Sequence, residues 1–212
     1  MSYIVFGAGG HAKVIVDILR SNGEEIIGVL DDHCKEETWN GFPVLGGRNQ
    51  IDQLVSLYPE ALLIVAIGDN TTRLKMASQF KVAGAKFGTA IHPSAVVSPS
   101  SFIGEGSVIM PNSVINADAY VGEHVIVNTA ATVDHDCRIE DFAHISPGVH
   151  MAGGVQIGCC AHIGIGASLI PGVRVGCDTI VGAASCVIRD LPEKVTAVGC
   201  PAKVIKTDND KG

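Results

Sequence analysis

Large aromatic side chains are scarce: Phe, Tyr and Trp make up 5% of the 212 residues, and there is one Trp. A core must therefore be lined by Val, Ile, Ala and Gly rather than by rings, as in a thin-walled structure. Charge is also sparse, at 17% against 47% apolar residues, which excludes a disordered chain. The net charge is −7 and no Lys/Arg cluster stands against it, so no nucleic-acid partner is expected. No apolar run reaches the ~18 residues of a membrane span. The opening Met-Ser-Tyr-Ile-Val-Phe-Gly lacks a basic region, so no signal peptide and a cytoplasmic location are expected. Seven Cys, none in a Cys-x-x-Cys pair, fit reduced thiols. The length allows a core without disulfides or metal and one large or two small domains.

The first part alternates apolar strands with helical spacings. Tyr3 to Phe6, Ile26 to Leu30 and Leu62 to Ile67 are strand candidates, the last continuous enough to be buried on both faces. Ala12 to Leu19, Ile51 to Leu57 and Thr71 to Val82 carry helical periodicity. The alternation predicts a parallel sheet with right-handed crossovers, ending near residue 90.

Beyond that point the period becomes six. From Ile91 to Val187, every sixth residue is aliphatic or Met, seventeen in succession without an insertion. The residue two places earlier is always small or Val, from Ala95 to Ser185. A strict period of six predicts a solenoid whose coil is a triangle of three hexapeptides. The aliphatic residue points inward, and the small residue sits where the wall turns. Gly follows the aliphatic residue at 104, 122, 158, 164, 176 and 182, where backbone freedom at turns is the expected reason. At ~4.8 Å per coil the prism would stand roughly 25 Å tall. The repeat is the signature of the left-handed parallel β-helix.

Several residues could carry chemistry. His135 stands between Asp134 and Asp136, and a carboxylate beside an imidazole can fix its tautomer and raise its basicity, as a general base requires. The same triplet also suits a solvated outer wall. His144, His150 and His162 share one phase, and His144 and His162 should stack on adjacent coils. Gly7-Ala8-Gly9-Gly10-His11-Ala12 fits a Gly-x-Gly-x-x-Ala turn that offers amides and a helix N-terminus to a phosphate. Asp31-Asp32 closes the second strand, where a carboxylate can bond a ribose hydroxyl. About 90 residues form half of a doubly wound fold, which suits one nucleotide rather than two. Gly68-Asp69-Asn70 follows the third strand on the same side. Lys13 is a candidate phosphate partner. Cys159 and Cys177 are expected as neighbours on adjacent coils, and the tail from Asp208 as frayed.

Together the Gly-x-Gly-Gly-His turn, the Asp-Asp pair, Ile67-Gly68-Asp69-Asn70, an uninterrupted hexapeptide solenoid with Asn128 and Asp134-His135-Asp136, and the closing Val198-Gly199-Cys200-Pro201-Ala202-Lys203 resemble the bacterial sugar O-/N-acyltransferases of the NeuD/PglD type. The resemblance implies a nucleotide-sugar-binding half-Rossmann-like α/β domain at 1–90, a left-handed β-helix acetyltransferase domain at 91–192 and a C-terminal extension at 193–212. It implies a homotrimer with sites between subunits, acetyl-CoA as co-substrate and no metal. Gly9, Gly10, His11, Asp31, Asp32, Gly68 and Asn128 would bind substrate. His135 would be the base and Asp136 its acid, with Asp134 a rival because many relatives carry the longer Glu. His144, Gly153, Ile165 and Ala183 would meet the cofactor, Gly153 as an oxyanion donor through its N–H. The implied reaction is acetyl transfer to the amine of a nucleotide-linked amino sugar, such as a UDP-4-amino-4,6-dideoxy sugar, for surface polysaccharide or glycan synthesis. Alternatives are O-acetylation of sialic acid or a related sugar, and a non-catalytic nucleotide-sugar-binding β-helix protein.

Overall fold

The computed structural model describes residues 1–207; the tail expected to fray lies outside them. The chain opens with β1 (Ser2–Phe6), α1 (Gly10–Ser21), β2 (Glu25–Leu30), β3 (Thr38–Trp39), β4 (Phe42–Pro43), α2 (Ile51–Leu57), β5 (Leu62–Val65), α3 (Asn70–Val82) and β6 (Lys86–Phe87). The sheet order is β2-β1-β5-β6, all parallel. β1 and β5 are buried along nearly their whole length because helices cover both faces. Ala12, Ile15, Val16 and Leu19 of α1 pack on one side with Val5 and Ile64. Leu54 of α2 and Met76, Ala77 and Phe80 of α3 pack on the other with Ile4 and Phe6. α1 and α3 therefore leave the sheet on opposite faces, and the crevice between the β1–α1 and β5–α3 turns is the switch point where open α/β sheets take ligands.

From Ala90 onward, two-residue strands recur every six residues and stack every eighteen into three parallel sheets. The first face carries the strands at Ala90–Ile91, Val108–Ile109, Ile126–Val127, His144–Ile145, His162–Ile163 and Ile180–Val181. It is prolonged by Val195–Val198 in parallel and by Lys203–Thr207 antiparallel to that strand, so the C-terminal segment continues this sheet. The second face includes Thr132–Val133 and His150–Met151, and the third Tyr120–Val121 and Arg138–Ile139. The six-step residues from Ile109 to Val187 are at most 3% exposed and fill the prism. The small residues two places earlier are buried beside them at the corners. Three of these that are hydroxyls find carbonyls: Ser107 donates to Gly122, Ser113 to Met110 and Thr179 to Pro192.

The glycines after the aliphatic residue serve a different need from the one their spacing suggested. None of them has positive φ; instead a Cβ on Gly104 or Gly164 would stand 2.6 Å from the backbone of the next coil. Close stacking, not turning, requires them. The left-handed backbone falls two residues further on, at every sixth position from Gly106 to Ala184, and includes His124, Asp136, Phe142 and Cys160. The α/β unit covers the first face and the edge between the third and first faces. Ala90, Val108 and Met110 join the α1 core, and Phe142 joins the α3 core.

Candidate functional site

Three groups of candidate residues fall at three places. The first is the switch-point crevice, a cavity of about 550 Å³ lined by Gly7 to His11, Asp31, Asp32, Arg48, Gly68, Thr72 and Lys75. Gly7 is structural: its φ is +116° and a Cβ would meet the Ala66 carbonyl at 2.9 Å. Gly9, Gly10 and Gly68 differ, since a Cβ on any of them would enter open space. α1 begins at this cavity with Gly9 as N-cap, no side-chain cap and no acidic residue in its first turn. Its free amides and positive dipole end therefore face the crevice, an arrangement suited to phosphate oxygens. α3 by contrast is capped, with Asp69 accepting from Thr72 N at 2.8 Å.

Asp31 and Asp32 hold the crevice in shape. Asp31 accepts from the amides of Ala8, His33 and Cys34, tying the Gly-rich turn to the loop after β2. Asp32 pairs with Arg48 at 2.5 Å and accepts its amide, and these bonds outweigh burial to hold its carboxyl below the usual range. Lys13 does not line the cavity; Lys75, Thr72 and Arg48 do. Thr72 and Lys75 lie three apart on one face of α3, a spacing visible in the sequence once α3 is known to begin at this crevice. A hollow of about 540 Å³, lined by Asp31, His33, Lys35, Glu36 and Trp39, continues from the crevice. His11 lines the crevice with its buried Nε2 unpartnered. Burial and then the charge of Arg73 push its imidazole down to about 4.

The second group lies on the covered part of the first face and along the edge to the second. His144 stacks on His162 with ring centroids 4.8 Å apart, as their eighteen-residue spacing predicted. Asn128 Nδ2 approaches His144 Nε2 at 3.1 Å, so that nitrogen accepts and Nδ1 carries the proton. Nδ1 is buried without a partner. Burial first, then His162, Arg73 and His11, lower this imidazole to about 3. Ile165 and Ala183 lie on the same edge, one coil apart, with Ala184 N donating to the Ile165 carbonyl at 2.8 Å. The amides of Ile165 and Ala183 bond no protein group.

The third group lies on the edge between the second and third faces. His135 is exposed, and its Nδ1 lies 2.7 Å from Asp136 Oδ2. Asp134 instead accepts the backbone N–H of His135 at 2.8 Å and Asn116 Nδ2 at 2.8 Å. Asp136 thus orients the ring, and Asp134 the loop. The bond to Asp136, followed by the charge of Asp134, raises the His135 pKa above 6.5. The left-handed φ of 58° at Asp136 turns its short side chain back onto the neighbouring ring, so the reach of a Glu is not needed. Gly153, on the next coil, covers the imidazole; a Cβ there would lie 2.7 Å from His135 Nε2. The Gly153 N–H has no protein acceptor. With Nδ1 protonated against Asp136, the Nε2 of this exposed ring bonds no group among the described residues, and neither does the Gly153 amide.

Among the described residues, no group of three or more His, Cys, Asp or Glu has metal-binding geometry. No helix among them is long and apolar enough to cross a membrane. Cys159 and Cys177 are free thiols that contact one another across adjacent coils.

A hexapeptide solenoid joined to a half-size parallel α/β sheet, with a carboxylate-paired histidine on an exposed edge, defines the hexapeptide-repeat acyltransferases. The PglD N-terminal domain family matches residues 3–80. Over 97% of its length the chain matches 97% of a perosamine N-acetyltransferase from Caulobacter crescentus, a histidine-to-asparagine variant in complex with CoA and GDP-perosamine, at 43% identity and TM-score 0.92. The acetyltransferase domain of PglB from Neisseria gonorrhoeae, in complex with acetyl coenzyme A, is 38% identical with TM-score 0.90, over 96% of this chain and 98% of that one. UDP-N-acetylbacillosamine N-acetyltransferase of Bacillus subtilis is 41% identical over 105 residues, so the match spans 49% of this chain and about half, 49%, of that curated relative. The chain belongs to the NeuD/PglD-type family of left-handed β-helix sugar O-/N-acyltransferases.

Proposed function

We propose that the chain transfers the acetyl group of acetyl-CoA to the amine of a nucleotide-linked amino sugar, with His135 as general base. The observation that carries this reading is the His135–Asp136 pair at 2.7 Å, with Nε2 open beside the unbonded Gly153 amide. Residues 1–90 hold the nucleotide: the α1 N-terminus and Gly9, Gly10, His11 and Gly68 meet the diphosphate, and the Asp31–Asp32 loop flanks the ribose. Residues 91–192, with 193–212 as extension, supply the acetyl-transfer surface.

His135 Nε2 takes a proton from the sugar nitrogen as that nitrogen bonds the thioester carbonyl carbon. The Gly153 N–H donates to the oxygen that becomes negative. The C–S bond then breaks and coenzyme A departs as thiolate. Asp136 stabilises the imidazolium that forms, as its pairing with Nδ1 allows. Asn128, His144 and the free amides of Ile165 and Ala183 hold the cofactor and the acceptor on the adjoining edge.

Asn128 and His135 belong to different edges of one prism. Asn128 and Asp134 lie six residue steps apart along the wall, at most roughly 20 Å at ~3.3 Å per residue. A homotrimer that sets the second edge of one subunit against the first edge of its neighbour unites them, which is why we place each site between subunits. The enzyme would work in the cytoplasm, where its nucleotide-sugar substrates are made.

The test is thiol release from acetyl-CoA with UDP- and GDP-linked 4-amino sugars, the same sugars without the amine, and free and CMP-linked sialic acid. Turnover confined to amino sugars supports the assignment. Turnover with sialic acid, or with sugars lacking the amine, overturns it in favour of O-acetylation.

A further inference from the structure

Among the described residues Arg73 is the largest fully buried side chain, at 1% exposure, and no carboxylate is among its hydrogen-bond partners. A buried guanidinium with no carboxylate bonded to it, only the charge of Asp69 acting through space, is costly unless its donors are satisfied. Here all five are. Nε donates to the His124 carbonyl at 2.9 Å, and Nη1 to the carbonyls of Ile67 and Gly68, each at 3.0 Å. Nη2 donates to Asn70 Oδ1 at 2.8 Å and the Phe142 carbonyl at 2.7 Å, with Ala143 further off at 3.4 Å. Asn70 Nδ2 in turn reaches the carbonyls of Cys160 at 2.8 Å and Ala161 at 3.1 Å.

His124, Phe142 and Cys160 occupy one position on three successive coils, each with left-handed φ. The solenoid's own ladder bonds the amides of these residues but leaves their carbonyls unused. Arg73 and Asn70 take all three. The other end of the same guanidinium holds Ile67 and Gly68, which line the nucleotide crevice. One rigid planar group therefore joins the crevice floor to the stacked coils.

We propose that Arg73 is a positioning residue for the transfer: it fixes the crevice floor against three coils of the solenoid, and so sets where along the edge a nucleotide-anchored amine is presented. This rests on the reading above, in which the nucleotide occupies the crevice. The geometry requires a planar group with donors on both sides, which a lysine ammonium of equal charge does not supply. An amino sugar without its nucleotide bypasses the α/β unit and should not depend on the clamp.

The experiment compares wild type, Arg73→Lys and Asn70→Ala with a nucleotide-linked amino sugar and with the same amino sugar lacking the nucleotide. UDP and GDP binding are measured by calorimetry alongside. The expected result for Arg73→Lys is a fall of about 30-fold in kcat with the nucleotide-linked acceptor. Nucleoside diphosphate affinity and turnover of the free sugar should stay within about threefold. Asn70→Ala, which keeps the guanidinium, should show the same pattern at about tenfold and serves if Arg73→Lys does not fold. Equal losses with both acceptors would mean a purely structural role and overturn the inference, as would no loss with either. Absence of wild-type turnover with the nucleotide-linked sugar would instead overturn the acetyltransferase reading on which the inference depends.

Discussion

Replacing Gly153 by Ala should disable catalysis while leaving the fold intact. Gly153 lacks positive φ, so alanine is compatible with its backbone, and the change should be neutral or stabilising by up to about 1 kcal/mol through the unfolded chain. The new methyl, however, would stand 2.6 Å from His135 Cε1, where ordinary contact begins at 3.4 Å. The ring must therefore retreat by about 0.8 Å from the position in which it holds its 2.7 Å bond to Asp136. Displacement of a catalytic group by ~1 Å costs on the order of 100-fold in rate. The assay is thiol release with acetyl-CoA and a nucleotide-linked amino sugar, beside a thermal melt. Gly154→Ala is the control: its φ of +70° strains alanine by about 1 kcal/mol, yet its Cβ meets nothing nearer than Gly172 Cα at 3.9 Å. It should lower Tm and spare kcat, the reverse of Gly153→Ala. A Gly153→Ala enzyme within threefold of wild-type turnover would refute the placement of His135 beneath that glycine.

Other outcomes follow from the same geometry. Asp136→Asn should lower turnover by roughly 10- to 100-fold and move the acidic limb of the kcat/KM–pH profile downward. In the wild type that limb should reflect a His135 pKa raised by Asp136 and then Asp134; an unmoved limb would contradict the role of Asp136. The pH dependence of stability should come from buried imidazoles. His124, packed between Phe87 and Phe142, is lowered to about 4, chiefly by burial. A histidine with a depressed folded pKa contributes stability that is complete above 6.5 and lost as pH falls from there toward 4, about 3 kcal/mol for this ring. His124→Phe should flatten the slope of Tm between pH 6.5 and 4, and an unchanged slope would assign it elsewhere. A Cβ on Gly9 would meet no protein atom within 4 Å, so Gly9→Val should raise KM for the nucleotide sugar at least about tenfold, with Tm lowered only by the exchange of an N-cap glycine. Mixing Gly9→Val with His135→Ala subunits should restore activity if each site draws on two subunits, and no recovery in mixed oligomers would place both groups in one.

The solenoid could be read in the sequence because each coil repeats one packing problem. An inward aliphatic residue every sixth position leaves a period that no crossover or insertion blurs, and residues as far apart as Ile109 and Val187 obey it. The α/β unit was legible for the same kind of reason, its buried strands and helices having distinct periods. The glycines after the aliphatic residue were misread because composition does not distinguish a glycine needed for φ from one needed for space; only the 2.6 Å approach of the next coil does. The His135–Asp136 pair was visible as adjacent residues. The choice between Asp134 and Asp136 was not, since it depends on the left-handed backbone at Asp136. Arg73 escaped because a charged residue on a helix is ordinarily solvated. Yet Met76, Ala77 and Phe80 follow it at three, four and seven residues, the spacing of a buried face, and that pattern was the available signal. Lys75 replaced Lys13 at the crevice because α3, not α1, turns a cationic side chain toward it.

The most direct test is the product of a single turnover with acetyl-CoA and a nucleotide-linked amino sugar, analysed for the site of acetylation. The account predicts an amide on the sugar nitrogen from the wild-type enzyme. It predicts essentially none from a His135→Ala enzyme that still binds acetyl-CoA. An acetyl ester on a sugar oxygen, or undiminished amide from the His135→Ala enzyme, would contradict it.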